Sequence, residues 1–229
     1  MTKMFTYNGS RLSTFNAFTG CLHACKYCYS ERLINTRLKD TPKYKDCGFK
    51  PTFHPDELNK KFKPDEFVFV SSMGDIAFAT NSELQQIIKK IKENPQTKFL
   101  FCTKDPSVYL PLDDMGNVYF GTTLETNRDI TKLYSKAPYT CERYRVMTLL
   151  EVTNKFVSIE PIMDFDLDIF SQWILDINPK IVEIGCDNYK NSLPEPNSDK
   201  IKALIKSMES SGIEVICKDG LYRLLKDDK

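Results

Sequence analysis

The sequence predicts an α/β fold: a partial (β/α)6 TIM-like barrel with parallel strands, in a single domain over residues 1–229. Three observations carry this expectation. Short, continuous apolar runs alternate with longer segments of helical periodicity, the pattern of βαβ units around strands buried on both faces. The chain offers six such units and a trailing strand, too few for a closed eight-stranded barrel. Polar turns follow the strands, at the end where parallel α/β folds gather their ligands.

In order, Leu12–Phe18 alternates apolar and polar residues and reads as the first strand. A helix is expected from Ser30, its candidate cap. Residues Lys39–Pro55 hold four prolines or glycines (Pro42, Gly48, Pro51, Pro55) and read as an irregular excursion. Phe67–Val70 is a buried strand ending in the turn Ser71–Asp75. Ser82 is the expected cap of a helix to about Asn94, with Leu84, Ile87, Ile88 and Ile91 on one face. Strands follow at Lys98–Cys102, Val118–Thr122, Phe156–Ile159, Ile181–Ile184 and Ile213–Cys217. Helical segments are expected at Arg128–Ser135, Thr140–Val152, Leu167–Ile177 and Ser198–Ser211, the last stopped by Gly212. No internal repeat or low-complexity segment interrupts the pattern.

Composition narrows the class. Hydrophobic content of 41% and charged content of 28% are those of a globular protein. No apolar run is long enough to span a bilayer, and the N-terminal residues lack a secretory h-region. Three cysteines are bunched and five scattered, unlike a disulfide framework, so a reducing, cytoplasmic setting is expected. Net charge is only +1, but Arg37–Lys63 carries eight Lys/Arg against four Asp/Glu, interleaved with Tyr44, Phe49, Phe53 and Phe62. Such a segment suits either a phosphate backbone with stacked bases or a solvated loop anchored by aromatic residues.

The most specific stretch is Thr19–Tyr29, which holds Cys21, Cys25 and Cys28 at spacing C-x3-C-x2-C with Tyr27 before the last cysteine. Three soft sulfur ligands leave one metal position for something other than protein, whereas structural zinc takes four protein ligands. Zinc remains open if His23, His54 or Cys47 joins the set, although His23 lies between two of the cysteines. The loop resembles the signature of the radical S-adenosylmethionine (radical SAM) superfamily. Phe156–Pro161, Glu183–Gly185 and Thr103–Lys104 are similar to its short spore photoproduct lyase-like and phage-associated members. The barrel predicted above is that superfamily's core fold.

The resemblance implies that Cys21, Cys25 and Cys28 bind a [4Fe–4S] cluster and that SAM chelates its fourth iron. It implies reductive SAM cleavage to a 5′-deoxyadenosyl radical that takes hydrogen from a substrate, with an external electron donor of flavodoxin or ferredoxin type. It places Tyr27 near the adenine and Met73-Gly74-Asp75 at the element that receives the SAM ammonium. Thr123, Glu125, Ser158 and Glu160, at two strand ends, are the expected contacts to ribose and carboxylate, with Lys104 or Arg128 as cationic partners. Cys186 is the candidate hydrogen-atom donor; Cys102 and Cys217 also end strands. A nucleic-acid or nucleotide substrate follows by analogy with the lyase and from the basic loop. A small metabolite or peptide substrate, or a zinc-bearing module without catalysis, is the alternative.

Overall fold

The computed structural model describes residues 6–7 and 10–226. Seven parallel strands form one sheet: β1 (Ser13–Phe15), β2 (Phe67–Val70), β3 (Lys98–Thr103), β4 (Val118–Thr123), β5 (Lys155–Ile159), β6 (Ile181–Ile184) and β7 (Glu214–Cys217). Their spatial order is their chain order, and every neighbouring pair is parallel. This is the curled, open half-barrel expected from the sequence. The main helices are α1 (Tyr29–Thr36), α2 (Asn81–Lys92), α3 (Thr140–Leu149), α4 (Leu167–Ile177) and α5 (Ser198–Ser210). No described helix is long and apolar enough to cross a membrane.

The two faces of the sheet have different duties. Residues such as Val68, Phe99, Phe101, Phe120, Val157 and Val182 point outward and form the main core with the helices. Leu12, Phe67, Leu100, Phe156 and Ile181 point inward and close the floor of the half-barrel. Two residues further along their strands, on the same face, stand Phe69, Cys102, Ser158 and Glu183, which line a cavity at the carboxyl ends. Strand alternation thus sets the polar side chains of Ser158 and Glu183 above an apolar floor.

Several boundaries differ from expectation for local reasons. The first strand ends at Phe15, because Asn16 turns its amide to the next strand end; its Oδ1 accepts from Ser72 Oγ at 3.1 Å and Met73 N at 3.2 Å. Phe18–Thr19 then pairs antiparallel with Thr52–Phe53. The cap of α2 is Thr80, not Ser82, since Thr80 and Glu83 form a reciprocal capping box. The cap of α1 is Cys28, not Ser30. The expected helix at Arg128–Ser135 is a single 3-10 turn, Thr131–Leu133.

The basic excursion is anchored rather than free. Lys43 Nζ donates to Asn16 O at 2.8 Å and Lys60 Nζ to Thr14 O at 2.5 Å. Phe62 packs edge-on against Phe15 and Phe99, with centroids 5.3 and 5.1 Å away. Tyr44 is buried, Phe53 packs on the core and Phe49 lines the cavity. Tyr44, Phe53 and Phe62 therefore anchor the excursion to the core, while Phe49 faces the cavity.

Candidate functional site

The cysteine loop hangs on a close crossing of two backbones. Gly20 N donates to Met73 O and Asp75 N to Gly20 O, both at 3.0 Å. A Cβ on Gly74 would lie 2.5 Å from Gly20 N and O, so only glycine permits the crossing. Gly20 itself has φ +81° and faces the Lys50 carbonyl. Gly74→Ala is expected to cost about 2–3 kcal/mol by overpacking, read as a lower urea midpoint. An unchanged midpoint would show that the loop yields freely.

Cys21, Cys25 and Cys28 all face one cavity. His23 N donates to Cys21 Sγ at 3.3 Å, Glu31 N donates to Cys28 Sγ at 3.4 Å, and Cys25 Sγ lies 3.1 Å from Ser135 Oγ. Cys28 caps α1, so the positive end of that helix faces its sulfur. Burial raises the Cys21 and Cys28 thiols, the latter to about 11. As free thiols they stay protonated near neutrality; a cationic metal centre is what draws such protons off. Donor chemistry, a shared cavity and N–H support thus fit a thiolate-bound cluster. Cys47 and His54 turn elsewhere, to Lys43 O at 3.3 Å and Thr19 Oγ1 at 2.8 Å.

Asp75 is a buried hub. Its carboxylate accepts from Thr103 Oγ1 at 2.5 Å, Lys104 N at 2.9 Å, Ala77 N at 3.0 Å and pairs with His23 Nε2 at 3.1 Å. Burial opposes its charge, but His23 and these donors hold its carboxyl below the usual range. One side chain therefore ties the cysteine loop to the ends of β2 and β3. Ligand atoms of Cys21, His23 and Asp75 lie within 4.8 Å of one another, closer than the loop spacing alone suggests.

Two ion clusters flank the chamber. In the first, Glu125, with no exposed surface, receives Lys104 Nζ, Arg143 Nη1 at 2.8 Å and Tyr27 OH at 2.6 Å. Burial pushes the Glu125 carboxyl up, but Arg143 and Lys104 outweigh it and hold it at about 2. In the second, Lys218 lies 2.5 Å from Glu160 and 3.7 Å from Glu183, whose other oxygen accepts from Ser158 Oγ at 2.7 Å. Burial favours neutral Lys218, yet Glu183 and Glu160 keep it charged. A Cβ on Gly185 would sit 2.6 Å from Glu160 Oε1, so the glycine makes room for that carboxylate. The chamber these clusters flank has a cavity volume of about 180 Å³.

The family model for "Protein of unknown function (DUF5131)" matches residues 11–178, more than half of the chain. The chain belongs to the DUF5131 family. None of the curated proteins matches it. Among solved structures, a spore photoproduct lyase mutant matches this DUF5131 protein with TM-score 0.63 at 12% identity, over 89% of this chain and 75% of that one. A mutant with dinucleoside spore photoproduct gives TM-score 0.57 at 13% identity, over 86% and 60%. One with bound AdoMet and dinucleoside spore photoproduct gives 0.55 at 13%, over 90% and 64%. The chain thus spans less than two thirds of the length of two of these. Identities this low carry the fold alone: the chain has the open parallel half-barrel of that lyase.

Of the residues singled out in the DUF5131 sequence, Tyr27, Gly74, Asp75, Thr123, Ser158, Glu160 and Cys186 line the chamber with the three cysteines. Met73 and Glu125 do not: Met73 spends its backbone on Gly20 and Asn16, and Glu125 lies behind Lys104 and Tyr27. Arg128 pairs with Asp164 and Asp166, away from the chamber. Sequence reasoning missed Glu183 and Lys218. The signal was a carboxylate inside the otherwise apolar run Ile181–Ile184, and a lysine directly after the last strand.

Proposed function

We propose that the protein is a radical SAM enzyme in which Cys21, Cys25 and Cys28 hold a [4Fe–4S] cluster and SAM occupies the adjoining chamber. The observation that carries this reading is that all three cysteines of the loop line one cavity at the carboxyl ends of parallel strands. When bound, the reduced cluster and SAM supply a 5′-deoxyadenosyl radical that abstracts hydrogen from substrate. This chain's residues bind and orient. Asp75 and Gly74 fix the loop that carries the sulfurs. The Tyr27 hydroxyl is held by Glu125, so its ring stands against the chamber where an adenine stacks. Thr123, Ser158 and Glu160 offer oxygen atoms to ribose hydroxyls and the SAM ammonium. The apolar floor excludes water beneath them.

A base-containing substrate, nucleic acid or nucleotide, is favoured because the fold neighbours hold a dinucleoside spore photoproduct. Cys186, buried with its thiol donating to Gly220 O at 3.0 Å, is the hydrogen-atom donor in this reading. Cys186→Ala is expected to leave 5′-deoxyadenosine formation intact while the substrate radical goes unquenched, seen as altered products by mass spectrometry. Unaltered products remove Cys186 from that role.

The test is anaerobic reconstitution with iron and sulfide, then dithionite and SAM. A brown protein that forms 5′-deoxyadenosine is the expected result. A second reading, a zinc site without catalysis, is favoured by the closeness of Cys21, His23 and Asp75. A colourless protein with one tightly bound zinc, which is lost in His23→Ala, establishes it in place of the first.

A further inference from the structure

Lys218 and Glu183 face the chamber with hydrogen-bonding capacity that this chain leaves open. Both side chains are 10% exposed, and both residues line the cavity. Among the described residues Lys218 Nζ donates only to Glu160 Oε2, at 2.5 Å. Glu183 Oε1 accepts from Ser158 Oγ, but Glu183 Oε2 has the ammonium 3.7 Å away and no hydrogen bond from a described residue. An ammonium carries three donors, and each carboxylate oxygen accepts more than one bond. Groups buried this deeply ordinarily find their partners. Other charged groups of the wall are committed: Lys104 to Glu125, and Asp187 to Tyr189 N at 3.1 Å and Asn191 Nδ2 at 2.6 Å. A donor and an acceptor thus stand side by side toward the chamber.

Tyr189 adds a flat surface. It lines the same cavity, whereas Arg32, whose guanidinium carbon lies 4.4 Å from its ring centroid, does not. The ring therefore stands between Arg32, on α1, and the chamber. Asn188 connects this turn to the charged pair: its Nδ2 donates to Glu160 Oε1 at 3.4 Å, and its Oδ1 lies 3.5 Å from Cys186 Sγ.

We infer that Glu183, Lys218 and Tyr189 form a specificity-determining subsite that reads the edge and face of one heterocyclic base and turns phosphate away. This rests on the proposed radical SAM function with a base-containing substrate. A base presents an N–H beside a carbonyl or ring nitrogen along one edge, the complement of Glu183 Oε2 and Lys218 Nζ. The Tyr189 ring takes its face, with Arg32 behind. Glu160 and Glu183 around a single ammonium leave this wall negative, so a phosphate group is repelled from it. The substrate is thus selected by its ring rather than by its backbone, and the ring it holds lies beside the Cys186 thiol.

The experiment titrates the four common ribonucleosides, with ribose 5-phosphate as a probe that lacks a base, into the reconstituted protein by calorimetry. SAM is present at saturation, so that no nucleoside reports the cofactor's own adenine position. The parent is expected to bind at least one nucleoside and not ribose 5-phosphate. Tyr189→Ala is expected to weaken the preferred nucleoside about tenfold, and Tyr189→Phe to keep the parent's affinity. Glu183→Gln is expected to weaken it about tenfold and to change the order of affinity among the four, because an amide offers N–H where a carboxylate only accepts. A Glu183 that merely holds the wall together would lower all four alike. Binding of no nucleoside, binding of ribose 5-phosphate as tight as that of the nucleosides, or the parent's order retained in Glu183→Gln overturns the subsite. Tyr189 is half-buried in a turn, so Tyr189→Ala decides the matter if Glu183→Gln does not fold, the parent's affinity there being the overturning result. Absence of 5′-deoxyadenosine from the parent under dithionite overturns the radical SAM reading instead; binding needs no turnover, so the two failures are separable.

Discussion

Arg143→Ala is expected to destabilise the fold by about 3–5 kcal/mol, because it leaves a buried carboxylate without its main counter-charge. Arg143 has no exposed surface and donates to Glu125, to Thr123 O at 2.7 Å and to Pro138 O at 2.9 Å. It therefore joins α3 to the end of β4 and to the support of Tyr27. The pH dependence follows from the sign of the shift. The Glu125 carboxyl is held at about 2 against an ordinary 4.5. A depressed carboxyl adds stability that is complete above the unfolded value and is lost as pH falls through the folded one. The parent should lose this contribution between pH 4.5 and about 2. The variant should show a smaller loss over the same window, having less to lose. Urea midpoints at neutral pH and across the acid limb measure both effects. A midpoint for Arg143→Ala equal to the parent's at neutral pH removes the cluster from the structural role given to it.

Cys25→Ala is expected to reduce SAM cleavage to background and to prevent incorporation of a full [4Fe–4S] cluster. Its effect on folding should be small, on the order of 1 kcal/mol, since the thiol makes one hydrogen bond, to Ser135. Activity and stability should therefore separate: an intact thermal transition with a colourless or weakly coloured protein. Iron and sulfide content, visible absorbance and 5′-deoxyadenosine yield read the result. Cleavage retained at the parent's level excludes Cys25 as a ligand. Retained zinc affinity in the same variant, lost in His23→Ala, transfers the metal to Cys21, His23 and Asp75.

Much of the architecture was legible because buried parallel strands leave an unambiguous trace. Phe67–Val70 and Ile181–Ile184 were located to the residue, as was α4, whose apolar stripe is broad. What escaped was decided by distant atoms. The first strand stops at Phe15 because Asn16 bonds residues more than fifty positions away, which no local pattern encodes. The cysteine loop was legible through spacing, and the chamber's rim through polar residues at strand ends. Glu125 shows the limit of that argument. Position on the rim does not tell whether a side chain faces the chamber or turns back into the wall, and Arg143, on a helix later in the chain, decides it. Glu183 and Lys218 each left a local signal, but their pairing exists only once β6 and β7 lie side by side.

The lysines that bond Thr14 O and Asn16 O have a further result. Carbonyls along β1 alternate in direction, and these two point away from β2, to which Phe15 O is already committed through Ser71 N. An open half-barrel has a border strand whose bare acceptors invite a second polypeptide to add on. Here two ammonium groups take those acceptors, and an incoming strand finds charge where it needs amides. The positive character of the long excursion thus guards the margin of the sheet against self-association, a task unrelated to any ligand.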